Sequence, residues 1–296
     1  MRNLLYLVIV VFVFISCAKE KVTTPSLEVT TASLTYKAGD TVTFNFTGNP
    51  DNITFYSGEP GHNYAFRERT SAANDLQINF KTFVLSGMIY NNLHLLVSND
   101  FTGAADTASV SAATWKDISD RAVFSAGQDN TPSGTISLKE FADPKNTAAR
   151  IYVAFKYTDY KKPLGQNKWA IRTFEANNIS PDSVVSPLAV LSTAGWKAYD
   201  FKNPAFVWSV TTTQLLMPNS NKDADDNEDW VISKGFDPFS IKPDAGVALK
   251  NISTTLSSYK YSYAKPGTYK VIFDVSAVRY NGEKRATKEL TLTITP

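Results

Sequence analysis

Polar and apolar positions alternate in short runs along most of this chain, the pattern of strands with one face on a core. The run after Pro266-Gly267 shows it best. Tyr269, Val271, Phe273 and Val275 fall on one side, and Thr268, Lys270, Ile272 and Asp274 on the other. Thr41–Thr47 repeats the pattern with Val42, Phe44 and Phe46 inward, and Ile53 and Phe55 mark a further strand. Residues 27–36 alternate poorly but are rich in Thr and Val, as suits an edge strand. The C-terminal run finds its best-matched partners around Tyr36 to Tyr56. The two chain ends are therefore expected to build one sandwich that encloses a second domain.

Residues 70–245 carry their own pattern. Leu76, Ile78 and Phe80 alternate, as do Leu93, Leu95 and Val97, and then Ile151, Val153, Phe155 and Tyr157. Further strands are expected over 114–118, 134–138 and 168–174, the last after a turn holding Pro163 and Gly165. Many short strands separated by turns imply a β-sandwich or jelly roll. The predicted class is all-β. The expected boundaries are 27–69 with 246–296 for the outer sandwich and 70–245 for the insertion.

The N-terminus reads differently. Met1-Arg2-Asn3 is a short positive start, and residues 4–15 are almost unbroken apolar sequence. That length is short of the roughly 20 residues a spanning helix needs and suits the apolar region of a signal peptide. It ends in Phe14-Ile15-Ser16-Cys17, which resembles the bacterial lipoprotein signal, with Phe14 where Leu is usual. The resemblance implies a leader over 1–17, cleavage before Cys17 and lipid on that residue. Acyl chains there would hold the protein at a membrane surface. Residues 18–26 read as a tether, charged and then rich in Thr and Pro.

Composition narrows the chemistry. The chain has 296 residues, 43% hydrophobic and 12% aromatic, which fits an ordinary globular protein of about two domains. A net charge of +2 gives no reason to expect a nucleic-acid partner. Cys17 stands alone, so no intrachain disulfide forms. His62 and His94 are the two histidines, and neither a Gly-x-Ser-x-Gly elbow nor a His-Glu-x-x-His motif is present. The expected role is non-catalytic, although paired carboxylates for glycoside cleavage stay open at this point.

Two constellations carry candidate chemistry. Trp169, Trp196 and Trp208, with Tyr157, Tyr160 and Tyr199, are a candidate sugar-stacking set. Trp196 and Tyr199 are the pair expected to be exposed, with Gln166, Asn167 and Asp200 reading hydroxyls. Asp223, Asp225, Asn227 and Asp229 alternate in a polar stretch that could wrap a structural calcium ion, which takes six to eight oxygens. The competing reading of that stretch is a solvated acidic loop, and of the aromatics, core packing.

Family resemblances complete the picture. "AGDTVTFNFTG" and "YSYAKPGTYKVIFDV" resemble the two halves of a PKD-type, immunoglobulin-like domain, here about 200 residues apart. "LHLLVSNDF", "TWKDIS", "IYVAFKY" and "KWAIRTF" resemble galactose-binding-like jelly rolls, as does "NEDWVISKGFD". Together with the leader they resemble Bacteroidetes surface lipoproteins of unknown function. The resemblance implies outer-membrane anchoring through Cys17, surface exposure, and glycan binding beside a glycan-uptake system. The alternative is a structural or adhesive role in which an outer-membrane protein is the partner.

Overall fold

Cross-strand pairing joins sequence neighbourhoods far apart in this chain. The computed structural model describes residues 21–48, 50–87 and 91–296. Cys17 and the leader lie outside the described residues. The fold is all-β, with the strands gathered into sandwich-like pairs of sheets. The described residues divide into two compact units, one holding those up to Glu68 together with Pro243–Pro296, the other Arg69–Lys242.

The first unit pairs a three-stranded sheet with a five-stranded one. The small sheet runs Glu28–Thr30, Thr41–Thr47, Ser258–Ser262. The larger runs Val247–Lys250, Asn52–Tyr56, Gly267–Arg279, Gly282–Thr295, Thr35–Lys37. The early strand Asn52–Tyr56 thus hydrogen-bonds to the late strand Gly267–Arg279, with Phe55 opposite Phe273. Val42, Phe44, Ile53, Phe55, Val271, Phe273 and Val275 form the core. In it Phe44 and Phe273 meet edge to face at 5.2 Å. Residues 27–36 are not one edge strand but two three-residue strands in different sheets. The Ser33 carbonyl accepts from Thr31 Oγ1 at 2.7 Å, and its hydroxyl accepts from the Thr35 N–H at 3.0 Å. Such local bonds compete with ladder pairing and turn the chain from one sheet to the other.

The second unit packs two larger sheets face to face. One runs Lys197–Lys202, Asn227–Ile232, Tyr152–Asp159, Leu93–Ser98, Lys116–Asp117. The other is built on the long strands Asp75–Leu85 and Lys168–Ile179. Between them lie Phe80, Leu95, Phe155, Trp169, Phe174 and Val231, all essentially inaccessible. The expected strands over 114–118 and 134–138 shrink to Lys116–Asp117 and Ile136–Ser137, because each runs at once into a 3-10 turn. A short helix, Thr107–Ala112, is capped by Asp106, whose carboxylate accepts from the Ser109 N–H at 2.7 Å. Among the described residues no helix is long and apolar enough to cross a membrane.

Candidate functional site

The five-stranded sheet of the second unit is apolar on both faces, and that is where a site emerges. Successive side chains on a strand point to opposite faces. Along Asn227–Ile232, Val231 therefore joins the core between the sheets, while Trp230 and Ile232 join a separate cluster on the outer face. Phe101, Val110 and Trp115, from the segment carrying the short helix, cover part of that outer face. Trp115 and Phe201 are half-buried and flank Trp230, with ring centroids at 5.4 and 6.0 Å. Trp115 is fixed by its indole N–H, which donates to the Val110 carbonyl at 2.9 Å.

This aromatic row runs into a polar cleft through Glu228. Its carboxylate accepts from the Trp230 indole N–H at 3.3 Å and pairs with Lys156 Nζ at 3.1 Å. Lys156 in turn sits 5.0 Å above the Trp230 ring. The cleft has a volume of about 310 Å³, and Asn92, Asp159, Tyr160, Lys202, Asp226 and Glu228 are among the residues lining it. The Tyr160 side chain is 58% exposed at its rim.

The cleft floor is rigid because one buried carboxylate gathers many donors. Asp159 accepts from Asn92 Nδ2 at 3.0 Å, the Tyr157 hydroxyl at 3.1 Å and the Tyr160 N–H at 2.8 Å. The Lys162 ammonium contacts both its oxygens, at 2.7 and 2.8 Å. Asn92 then accepts from the Trp169 indole N–H at 2.7 Å and donates to Asn167 Oδ1 at 3.0 Å. Burial and the neighbouring Asp159 push the Tyr157 hydroxyl well above its ordinary range, so it stays a neutral donor.

The expected stacking residues are placed elsewhere, and the exposed-platform expectation is corrected. Trp169 is fully buried and serves the floor network. Trp196 lies in the core between the sheets, edge-on to Phe174 at 4.9 Å. Tyr199 lies on the opposite side of its sheet, its hydroxyl donating to the Ala104 carbonyl at 2.9 Å. Trp208 is buried, its N–H directed at the Asp229 carbonyl at 3.4 Å. None of the four presents a free ring face, and the sheet separates Trp196 from Tyr199. Trp115 was missed because its expected strand shrinks to Lys116–Asp117, whereas Phe201 shares a face with Tyr199 two residues away on the strand Lys197–Lys202, a period-two signal that could have found it. Tyr160 stood in the candidate set, and its place just past the strand Tyr152–Asp159 was the signal for exposure.

The acidic stretch does not close around one point. Asp223 and Asp225 are exposed, and Asp225 meets Lys161 at 3.5 Å. Asn227 and Asp229 are buried and share the core-facing side of their strand. Among the described residues no group of three or more His, Cys, Asp or Glu is arranged to hold a metal ion. Asp229 is unusual in itself. Neither carboxyl oxygen has a hydrogen bond of acceptable geometry, although the Asn227 amide and the Phe201 N–H lie close enough to favour the charge slightly. Burial, followed by the Asp200 carboxylate on the neighbouring strand, pushes Asp229 up to about 8. It is therefore largely protonated at neutral pH.

A family model described as a domain of unknown function (DUF5017) matches residues 16–196, more than half of the chain, so the chain belongs to that family. No curated protein and no solved structure matches it.

Proposed function

We propose that this member of the DUF5017 family is a non-catalytic glycan-binding lipoprotein of the outer membrane, held at the cell surface by lipid on Cys17. The first unit would be PKD-like and the second a jelly roll. The carrying observation is the continuity of an aromatic row, Trp115, Trp230 and Phe201, with a polar cleft that ends in the exposed Tyr160. Sugar C–H faces pack on aromatic faces, and amide, carboxylate and ammonium groups read the hydroxyls around them. Asn92, Asp226, Glu228 and Lys202 supply those groups. The Asp159 network supports the reading, because a prearranged floor spares the ordering cost of binding.

Retention of the whole protein, in detergent, on a glycan array and in polysaccharide gels tests this. Tyr160→Ala is expected to weaken retention at least tenfold while leaving the melting curve in place, and Trp115→Ala to weaken it as much with some loss of stability, since its ring packs on Phe101 and Trp230. Unchanged retention in both variants would refute the site. No retention of any glycan would refute the function and favour a protein partner.

A further inference from the structure

The strand Gly267–Arg279 carries a second feature, on the side away from its core. Val271, Phe273 and Val275 face the core of the first unit, so Ile272, Asp274 and Ser276 face outward, yet all three are buried. Asp274 is 6% exposed. One of its oxygens accepts from Arg285 at 2.9 Å on the adjacent strand, and the other meets no donor. A buried acceptor left unpaired is unfavourable, and such groups in a folded protein call for an explanation. The Asp274 side chain, though not that inaccessible oxygen, borders a cavity of about 350 Å³, whose other walls are Tyr56, Tyr64, Arg67, Glu68 and Arg285.

The walls divide into three chemistries. Tyr56 and Tyr64 meet edge to face at 5.2 Å, an apolar side of fixed geometry. Gly246 leaves room for the Tyr56 ring, because a Cβ there would sit 2.7 Å from it. Asp274 holds Arg285 from the inner side. Arg67 and Arg285 supply an outer pair of guanidinium groups. Arg67 stacks 4.0 Å above the Tyr64 ring and pairs with Glu68 at 3.1 Å. The Glu68 side chain is 82% exposed, so this ion pair holds weakly and yields to a competing carboxylate. Arginine matches a carboxylate with two parallel donors.

We infer that this cleft is a binding site for an acidic sugar of the uronic acid class. The sugar ring packs against the tyrosine side, Asp274 holds Arg285 at the cleft, and the carboxylate displaces Glu68 from Arg67. The inference does not depend on the Tyr160 cleft, which lies in the other unit. Titration calorimetry on the whole protein in detergent, with a galacturonic acid trisaccharide and its neutral galactose counterpart, is the test. The acidic trisaccharide is expected to bind at least tenfold more tightly than the neutral one. That binding should weaken with salt and fall at least tenfold in Arg67→Gln and in Arg285→Gln. Equal binding of the two sugars, no binding of the acid, or wild-type affinity in both variants would overturn it. The Tyr160 and Trp115 substitutions act on the other cleft, so the two readings fail separately.

Discussion

Asp229→Asn is expected to stabilise the second unit at neutral pH, and more so as pH rises. Asp229 is 1% exposed, and its carboxyl has no well-formed hydrogen bond and a pKa of about 8. In the unfolded chain the same group titrates near 3.9. The folded-state value is raised, so the folded protein binds the extra proton between those two limits. Stability falls with pH wherever the folded state binds more protons. The penalty is absent below pH about 4, grows by about 1.4 kcal/mol per pH unit, and levels off above about 8. At pH 7 it amounts to about 4 kcal/mol, large against the roughly 5–15 kcal/mol total of a folded domain. Asparagine keeps the shape and never ionises, so it escapes the penalty. The assay is urea unfolding of both proteins at pH 5, 7 and 9, followed by tryptophan fluorescence. All five tryptophans, Trp115, Trp169, Trp196, Trp208 and Trp230, lie in the second unit, so the signal reports that unit alone. The variant's advantage should widen between pH 5 and 7 and be constant well above 8. A difference that stays flat with pH, or a variant less stable than the parent at pH 7, would refute the reasoning.

Other expectations follow from the same physics. Asp200→Asn removes the facing charge and should lower the Asp229 pKa, moving the end of the pH-dependent window downward in the same fluorescence assay. Asp159→Ala strands the buried Lys162 ammonium and several donors, so it should destabilise the second unit by about 3–5 kcal/mol in urea unfolding. In the first unit, Gly58 has φ +82°, and a Cβ there would lie 2.7 Å from the Lys270 carbonyl oxygen. Gly58→Ala should therefore cost about 1–3 kcal/mol, read as faster hydrogen exchange in the strand Gly267–Arg279.

The strands were legible in the sequence wherever apolar residues recur at every second position. Val42 and Phe44, then Val271, Phe273 and Val275, do so, and the structure buries them, although it buries Ile272 and Asp274 between the last three as well. Irregular pieces escaped because their geometry is set by side-chain bonds rather than by period. Ser33 divides residues 27–36 between two sheets, and two 3-10 turns cut short the strands at Lys116–Asp117 and Ile136–Ser137.

The site was legible in composition but not in place, and the reason is specific. Alternation tells which residues share a face and is silent on what covers that face. Tyr199 falls on the outer side of its sheet, as an exposed ring should, yet Phe101 and the segment bearing the helix Thr107–Ala112 cover it. That covering segment also delivers Trp115 to the edge of Trp230, so the loop that hides one aromatic builds the half-open row from others. Trp169 shows the converse. It was picked for a ring that could stack, and what its position provides is an N–H that fixes Asn92 beneath the cleft. All five tryptophans fall in the second unit, and four of them are buried there in packing. Which of them face a ligand depends on the loops between strands, where the periodic signal is absent.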